Sequence, residues 1–150
     1  MDKRYLFRGK RVDNGELVVG FYDIITKGEH LSPIQNGHYI TTFKKLSNGE
    51  IILTGRHEVD PTTVGQCTGL LAAKSYRGNS EEARLVFEED ICKDARGFVF
   101  VVAWDDDNSR FIGRGIGKRK DYIRYVGQEP AVDIVGNIHE HPELFGGDPE

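Results

Sequence analysis

The sequence is short of sulfur, of long apolar runs and of net positive charge, and each shortage excludes something. Two cysteines, Cys67 and Cys92, stand among 150 residues. They are too few for a disulfide framework or a four-ligand zinc site and do not form a C-x-x-C pair. They read as small buried hydrophobes. No stretch reaches the about 18 consecutive apolar residues of a membrane-spanning helix. The opening MDKRYLFRGKRV has basic residues but lacks the apolar run of about 7–15 residues that a secretory signal needs. The expectation is a cytoplasmic protein with no membrane partner. The net charge of −4 argues against bulk binding of nucleic acid.

What is present fits a folded, strand-rich chain. A domain of this length buries roughly 68–70% of its unfolded surface and needs no covalent staple, so a single domain over 1–150 is expected, with room for β-subdomains. Glycine is frequent, at 18 residues against a usual share of about 7%, and scattered as repeated tight turns require. Tyr5 and Phe7, then ELVVGFYDII (Glu16 to Ile25), HYITTF (His38 to Phe43) and EIILTG (Glu50 to Gly55) alternate as half-buried strands do. DNGE (Asp13 to Glu16) and SNGE (Ser47 to Glu50) set Asn-Gly between extended runs, which predicts two hairpins with two-residue type I′ turns.

GFVFVVAW (Gly97 to Trp104) is continuously apolar and predicts a central strand covered on both faces. DDDNS turns the chain; RFIGRGI, DYIRYVG and AVDIVGNI extend a meander. In the last of these, Val132, Ile134 and Ile138 are expected on one face, with Asp133, Val135 and Asn137 on the other. Helical signals are thin. Asp60 and Pro61 suit the start of a single turn that Gly65 could stop. Asn79 and Glu82 make a capping pair ahead of Ala83, Val86 and Phe87. Whether 79–90 is helix or strand stays open from the residues alone.

Few residues assemble into chemistry. His139 and His141 would share one side of a strand, and a third ligand would be needed to hold a metal; none is identifiable, and Pro142 marks the place as a strand end giving way to a turn. GRGIGK (Gly113 to Lys118) is one residue short of a phosphate loop, and Arg119 replaces its Ser or Thr, so a glycine-relieved strand or bulge is expected. Asp105, Asp106 and Asp107 begin like a calcium loop, but Ser109, Arg110 and Ile116 occupy its later ligand and glycine positions, which leaves a solvated hairpin turn. No nucleophile with a supporting base is recognisable. Neither a catalytic residue nor a cofactor is expected. The best candidate contact surface is basic: Arg114, Lys118, Arg119, Lys120 and Arg124 with Tyr122 and Tyr125. Cations there would neutralise phosphates while the rings stack on unpaired bases. Arg8, Lys10 and Arg11 would extend the strip only if the fold placed them beside it.

Three passages resemble one family. FRGKRVDNGELVVGFY (Phe7 to Tyr22), EVDPTTVGQCTGL (Glu58 to Leu70) and DIVGNIHEHPELF (Asp133 to Phe145) are similar to the opening, middle and closing signatures of the YopX family, small proteins of bacteriophages, prophages and mobile elements. The matching positions are Gly9 and Gly20, then Pro61, Gly65, Gln66, Thr68 and Gly69, then Asp90, and finally Gly136, Asn137, Ile138, Glu140, Pro142, Glu143 and Leu144. The resemblance implies a mainly β fold of coiled antiparallel sheets, including an SH3-barrel-like part, with few short helical turns. It also implies that RLVFEEDIC leads into a strand. Two departures stand out: Glu89 occupies a glycine position of the pattern, and residues 71–90 form a variable insertion. Gly136 would permit a bulge or close approach, Asn137 would bond locally to backbone, and Leu144 would anchor the tail. Both histidines would be incidental.

The resemblance implies no catalytic residue, so the expected role is a noncatalytic phage or prophage accessory protein that binds an unknown protein or nucleic acid in the cytoplasm of a bacterial host, with self-association open. Single-stranded nucleic-acid binding through 114–124 is the alternative, and a metal-dependent hydrolase a distant third.

Overall fold

The computed structural model describes residues 3–25, 36–120, 122–126 and 132–145. The acidic tail and Asp121 fall outside them, as does the Tyr125 side chain. The chain divides into two compact units, Met1–Gln66 and Cys67–Glu150. Each is built mainly of strands, and no helix among the described residues is long and apolar enough to cross a membrane.

The first unit holds β1 (Phe7–Arg11), β2 (Leu17–Ile25), β3 (Gly37–Lys45) and most of the long β4 (Ile51–Leu71). β1 pairs with β2, β2 with β3 and β3 with β4, all antiparallel. β4 then pairs back onto β1, from Phe7↔Gln66 to Arg11↔Val59, which closes the sheet into a ring. Leu6, Ile40 and Val59 are buried inside it.

Both hairpins form where Asn-Gly predicted them, but neither uses a type I′ turn. Arg11 N–H bonds to Glu16 O at 2.9 Å and Leu46 N–H to Glu50 O at 2.8 Å, so the loops are four and three residues long by these closing bonds. Only the glycines, Gly15 (φ 74°) and Gly49 (φ 91°), take positive φ. Asn14 and Asn48 serve differently: each side-chain oxygen accepts from the N–H two residues on, Glu16 and Glu50, at 3.0 Å. These are Asx turns that lead into a left-handed glycine.

The helical turn expected at Asp60–Gln66 is absent. Lys10 pairs with Asp60 and Arg8 with Gly65, so residues 61–64 bow out of β4 as a bulge. Asp60 still acts as a cap, accepting from Thr62 N–H at 3.0 Å. Thr63 Oγ1 donates to Asp60 O and accepts from Lys10 N–H, which fills the gap in the ladder.

The second unit carries β5 (Lys74–Ser75), α1 (Glu81–Arg84), β6 (Leu85–Phe87), β7 (Asp90–Asp94), β8 (Val99–Asp105), β9 (Arg110–Gly115), β10 (Ile123–Tyr125), β11 (Val132–Asn137) and α2 (Pro142–Phe145). The Cys67–Leu71 end of β4 pairs with β6. The main sheet runs β10-β9-β8-β7-β11-β5. Strands β7 to β10 form the expected meander; β11 returns beside β7, and β5 joins it parallel.

Within this sheet β8 is central, and Phe100, Val101 and Val102 are buried in succession, while Trp104 at its end is 42% exposed. Coverage of both faces is therefore limited to the middle of the strand. Ala72, Val86, Cys92, Phe100, Val102 and Ile134 form the core. The alternation expected along β11 breaks: Ile134 pairs with Cys92 but Gly136 with Ile91, so a bulge at Val135 resets the phase and turns Asn137 inward. The 79–90 stretch is both structures in turn. Ser80, not Asn79, caps α1 by accepting from Ala83 N–H at 3.1 Å, and Val86 and Phe87 lie on β6 rather than on a helical face.

Candidate functional site

Polar side chains converge in the second unit where β11 ends. Asp90, the first residue of β7, stands opposite Asn137, the last of β11, and both are fully buried. The Asp90 carboxylate accepts from Phe87 N–H at 2.9 Å, from both Arg77 terminal nitrogens at 3.3 and 3.4 Å, and from Asn137 Nδ2 at 3.3 Å. A carboxylate so enclosed is tolerable because a guanidinium and neutral donors compensate it.

Arg77 reaches further, to Tyr76 Oη at 3.2 Å and Leu85 O at 3.4 Å. Burial works against the Arg77 charge, yet Asp90 and Tyr76 together hold its pKa above the ordinary value. Tyr76 donates to Glu140 Oε1. Burial, and then that hydrogen bond, push the Tyr76 phenol up to about 12.

Asn137 organises the chain that follows. Its side-chain oxygen accepts from His139 N–H at 2.8 Å, its N–H donates to His141 Nδ1 at 3.2 Å, and its carbonyl accepts from His141 N–H at 2.7 Å. The local bond expected of Asn137 is present, together with a buried one to Asp90. A Cβ on Gly136 would lie 2.8 Å from Leu144 Cδ1 and 3.1 Å from His141 Nδ1; the bare backbone lets the returning chain lie against β11. Leu144 thus leans on Gly136 although its outer side is exposed. Pro142 opens α2, where its missing N–H costs nothing, and Glu143 follows in the first turn.

The histidines are not incidental. His139 Nε2 lies 3.0 Å from Glu89 Oε1, and the His141 ring meets Tyr76 edge-on at 4.8 Å. Glu89 has φ 75°, the left-handed conformation that favours glycine, at the place where the family pattern has one. The two rings do not share one side of a strand, because β11 ends at Asn137. Among the described residues no group of three His, Cys, Asp or Glu is placed to hold a metal ion. The buried centre of the cluster, Asp90 and Asn137, is engaged by neighbouring side chains and backbone, while Tyr76 and Glu140 form an exposed rim. Sequence reasoning missed Tyr76 and Arg77 here and noted Glu89 only as a departure from the family's glycine, since all three lie in the stretch 71–90 read as a variable insertion.

The basic strip is split. Arg114 on β9 and Lys118, Arg119 and Lys120 around a 3₁₀ turn (Gly117–Arg119) are exposed, and Tyr122 is 62% exposed. Backbone bonds from Gly115 N–H to Tyr122 O and from Tyr122 N–H to Arg119 O fix this loop. It is the glycine-relieved strand end expected there. Arg124 does not belong to the surface. Its side chain is 12% exposed, with Nε 4.0 Å from Asp94 and the guanidinium carbon 4.8 Å over the Phe100 ring. It lies on β10 opposite Gly113, so the pleat turns it into the core face. Tyr125 pairs with Ile112. Arg8 is buried, and Arg11 is engaged with Asp13 at 2.6 Å.

The remaining family positions lie apart from this cluster. Gly9 and Gly20 sit on β1 and β2, and Pro61, Gly65 and Gln66 on β4, where Gln66 Nε2 donates to Arg4 O at 2.7 Å. In the second unit Thr68 Oγ1 donates to Val86 O at 2.8 Å beside Gly69, and Ile138 N–H bonds to Glu89 O at 3.1 Å. The first unit also holds a hollow of about 500 Å³ lined by Lys10, Arg11, His38, Glu58 and Asp60 among others; mixed charge there selects no ligand class. A family model described as YopX protein matches residues 21–146. No curated protein matches the chain.

Proposed function

The chain belongs to the YopX family, and from that premise we propose that it is a noncatalytic accessory protein of phage or prophage origin, a module that binds another macromolecule in the bacterial cytoplasm. What supports this is the state of the Asp90 cluster: the side chains best suited to acid–base chemistry are engaged in joining β7, β11 and the turn after β5. In this reading the ring of β1 to β4 is the SH3-barrel-like part of the fold. Pull-down from host lysate, with gel filtration at working concentration, tests it. An enriched partner or a stable assembly is expected; a monomer that enriches nothing contradicts it.

A second reading rests on the exposure of Arg114, Lys118, Arg119, Lys120 and Tyr122 on one stretch of the second unit. There the target is a single-stranded nucleic acid, held by phosphate contacts and stacking on Tyr122. Binding should weaken with salt by about 0.7 log units per log unit for each phosphate contacted. Reversing Lys118, Arg119 and Lys120 to Glu should abolish it. Titration of a labelled oligonucleotide at low salt decides the matter, since no binding there removes this reading.

A further inference from the structure

The first unit ends in an unfinished strand edge. β2 pairs with β3 only as far as Phe21↔Thr41, and β1 meets β4 only from Val59 onward. Beyond them, residues 42–45 of β3 and 51–55 of β4 form a two-stranded ribbon; among the described residues no other strand pairs with it. Such a ribbon is marginal by itself in water. Its two outer edges are not alike. β3 carries Lys44 and Lys45, the kind of charge that discourages strand addition. β4 presents Ile51, Ile52, Leu53, Thr54 and Gly55 without a charge, and the three apolar side chains are 42%, 49% and 63% exposed.

The open edge also has hydrogen-bonding capacity in a defined place. Leu46 N–H bonds to Glu50 O, and the ladder alternates from that pair, so Lys45↔Ile51 and Phe43↔Leu53 are the non-hydrogen-bonded pairs. The N–H and C=O groups of Ile51 and Leu53 therefore point away from β3. After Leu53 a bulge at Thr54 shifts the register, which limits the usable edge to a short run centred near Leu53.

We propose that this β4 edge is a self-association surface, and that its occupant is the same edge of a second copy of the chain, antiparallel and two-fold about Leu53. Charge argues for a copy over an unrelated strand. The run is bounded by Glu50 at one end and Arg56 at the other. Both are exposed; Arg56 already meets Asp23 at 3.1 Å through one terminal nitrogen and lies over the Tyr39 ring, a surface pair worth about 0–1 kcal/mol that leaves its other donors open, and antiparallel pairing sets the acidic end of each copy against this basic end of the other. The contact is isologous, so it closes as a dimer and does not propagate. Leu53 meets Leu53 across the axis, and the two β4 edges become the middle of a four-stranded sheet.

Sedimentation equilibrium of the full chain over a range of concentrations tests this first. A two-fold rise in mean mass is expected, with loss of the dimer in Leu53→Lys while the circular dichroism is unchanged. Cysteine at the axis gives an independent reading, because Cys67 and Cys92 are buried. Mild oxidation of Leu53→Cys should yield a disulfide-linked dimer, and Lys44→Cys on the protected strand should not. A chain that stays monomeric throughout overturns the proposal, as does a dimer that survives Leu53→Lys. Cross-linking of Lys44→Cys as readily as Leu53→Cys would also overturn it, and so would monomers that instead take up an added extended apolar peptide.

Discussion

In the second unit six buried residues form one cluster, and the polar Asp90 and Asn137 are wholly enclosed beside it. In the first, the buried apolar side chains among the described residues are Leu6, Ile40 and Val59, while Ile51, Ile52 and Leu53 meet solvent on a two-stranded ribbon. Both units are β-rich, so the contrast is one of coverage. A buried carboxylate can be kept only where neighbouring strands and turns supply every donor it lacks. An apolar strand edge persists only where something else covers it. The buried centre of the second unit is accordingly closed by its own residues, and the first leaves binding free energy available at β4.

The sharpest test of that contrast removes the centre of the closed unit. Asp90→Ala leaves Phe87 N–H without its acceptor and Arg77 without its counter-charge and should destabilise by about 3–5 kcal/mol, measured by denaturant unfolding; a loss near that of an exposed acidic residue would mean the cluster is not enclosed. Next is Glu89→Gly. It relieves a left-handed side chain worth about 1–2 kcal/mol and loses a part-buried pair with His139 worth about 0–1 kcal/mol, so a net gain of about 0–2 kcal/mol is expected in the same unfolding assay. A clear loss would show that His139 is held more firmly than its geometry suggests.

Alkaline titration reads the rim of the cluster. The folded phenol of Tyr76 lies at about 12, above its ordinary value of about 10. A raised pKa favours the neutral form, so this contribution is fully present below pH about 10 and is lost as pH rises through about 12. Tyr76→Phe should remove both the late phenolate absorbance step and that segment of the stability profile. The smallest effect belongs to the open unit: Ile52→Thr should change monomer stability by no more than about 0.5 kcal/mol, and a larger loss would place Ile52 in a covered core.

Much of this fold was legible in local pattern. Asn-Gly located both hairpins, and the apolar run from Gly97 to Trp104 located β8. The turn types were not legible, because an Asn can serve through its side-chain oxygen as well as through positive φ, and both routes leave the same two letters. Arg124 looked like a surface cation because its neighbours are; its inward direction follows from pairing with Gly113 across β10 and β9, a register that no single segment encodes. The cluster was half visible. Asp90, Asn137 and Glu140 carried the family pattern, whereas Arg77 joins them through a contact across an irregular insertion that has no period to read. Val135 shows the same limit, since one bulged residue inverted the faces expected beyond it.

Native-state hydrogen exchange, resolved by residue in dilute protein, tests the division between a closed and an open unit most directly. Slowest exchange is expected at the amides of β7, β8 and the Asp90-bound Phe87, with Ile51 and Leu53 exchanging orders of magnitude faster and slowing only as concentration rises. Protection of Ile51 and Leu53 equal to that of β8 in dilute protein would contradict it.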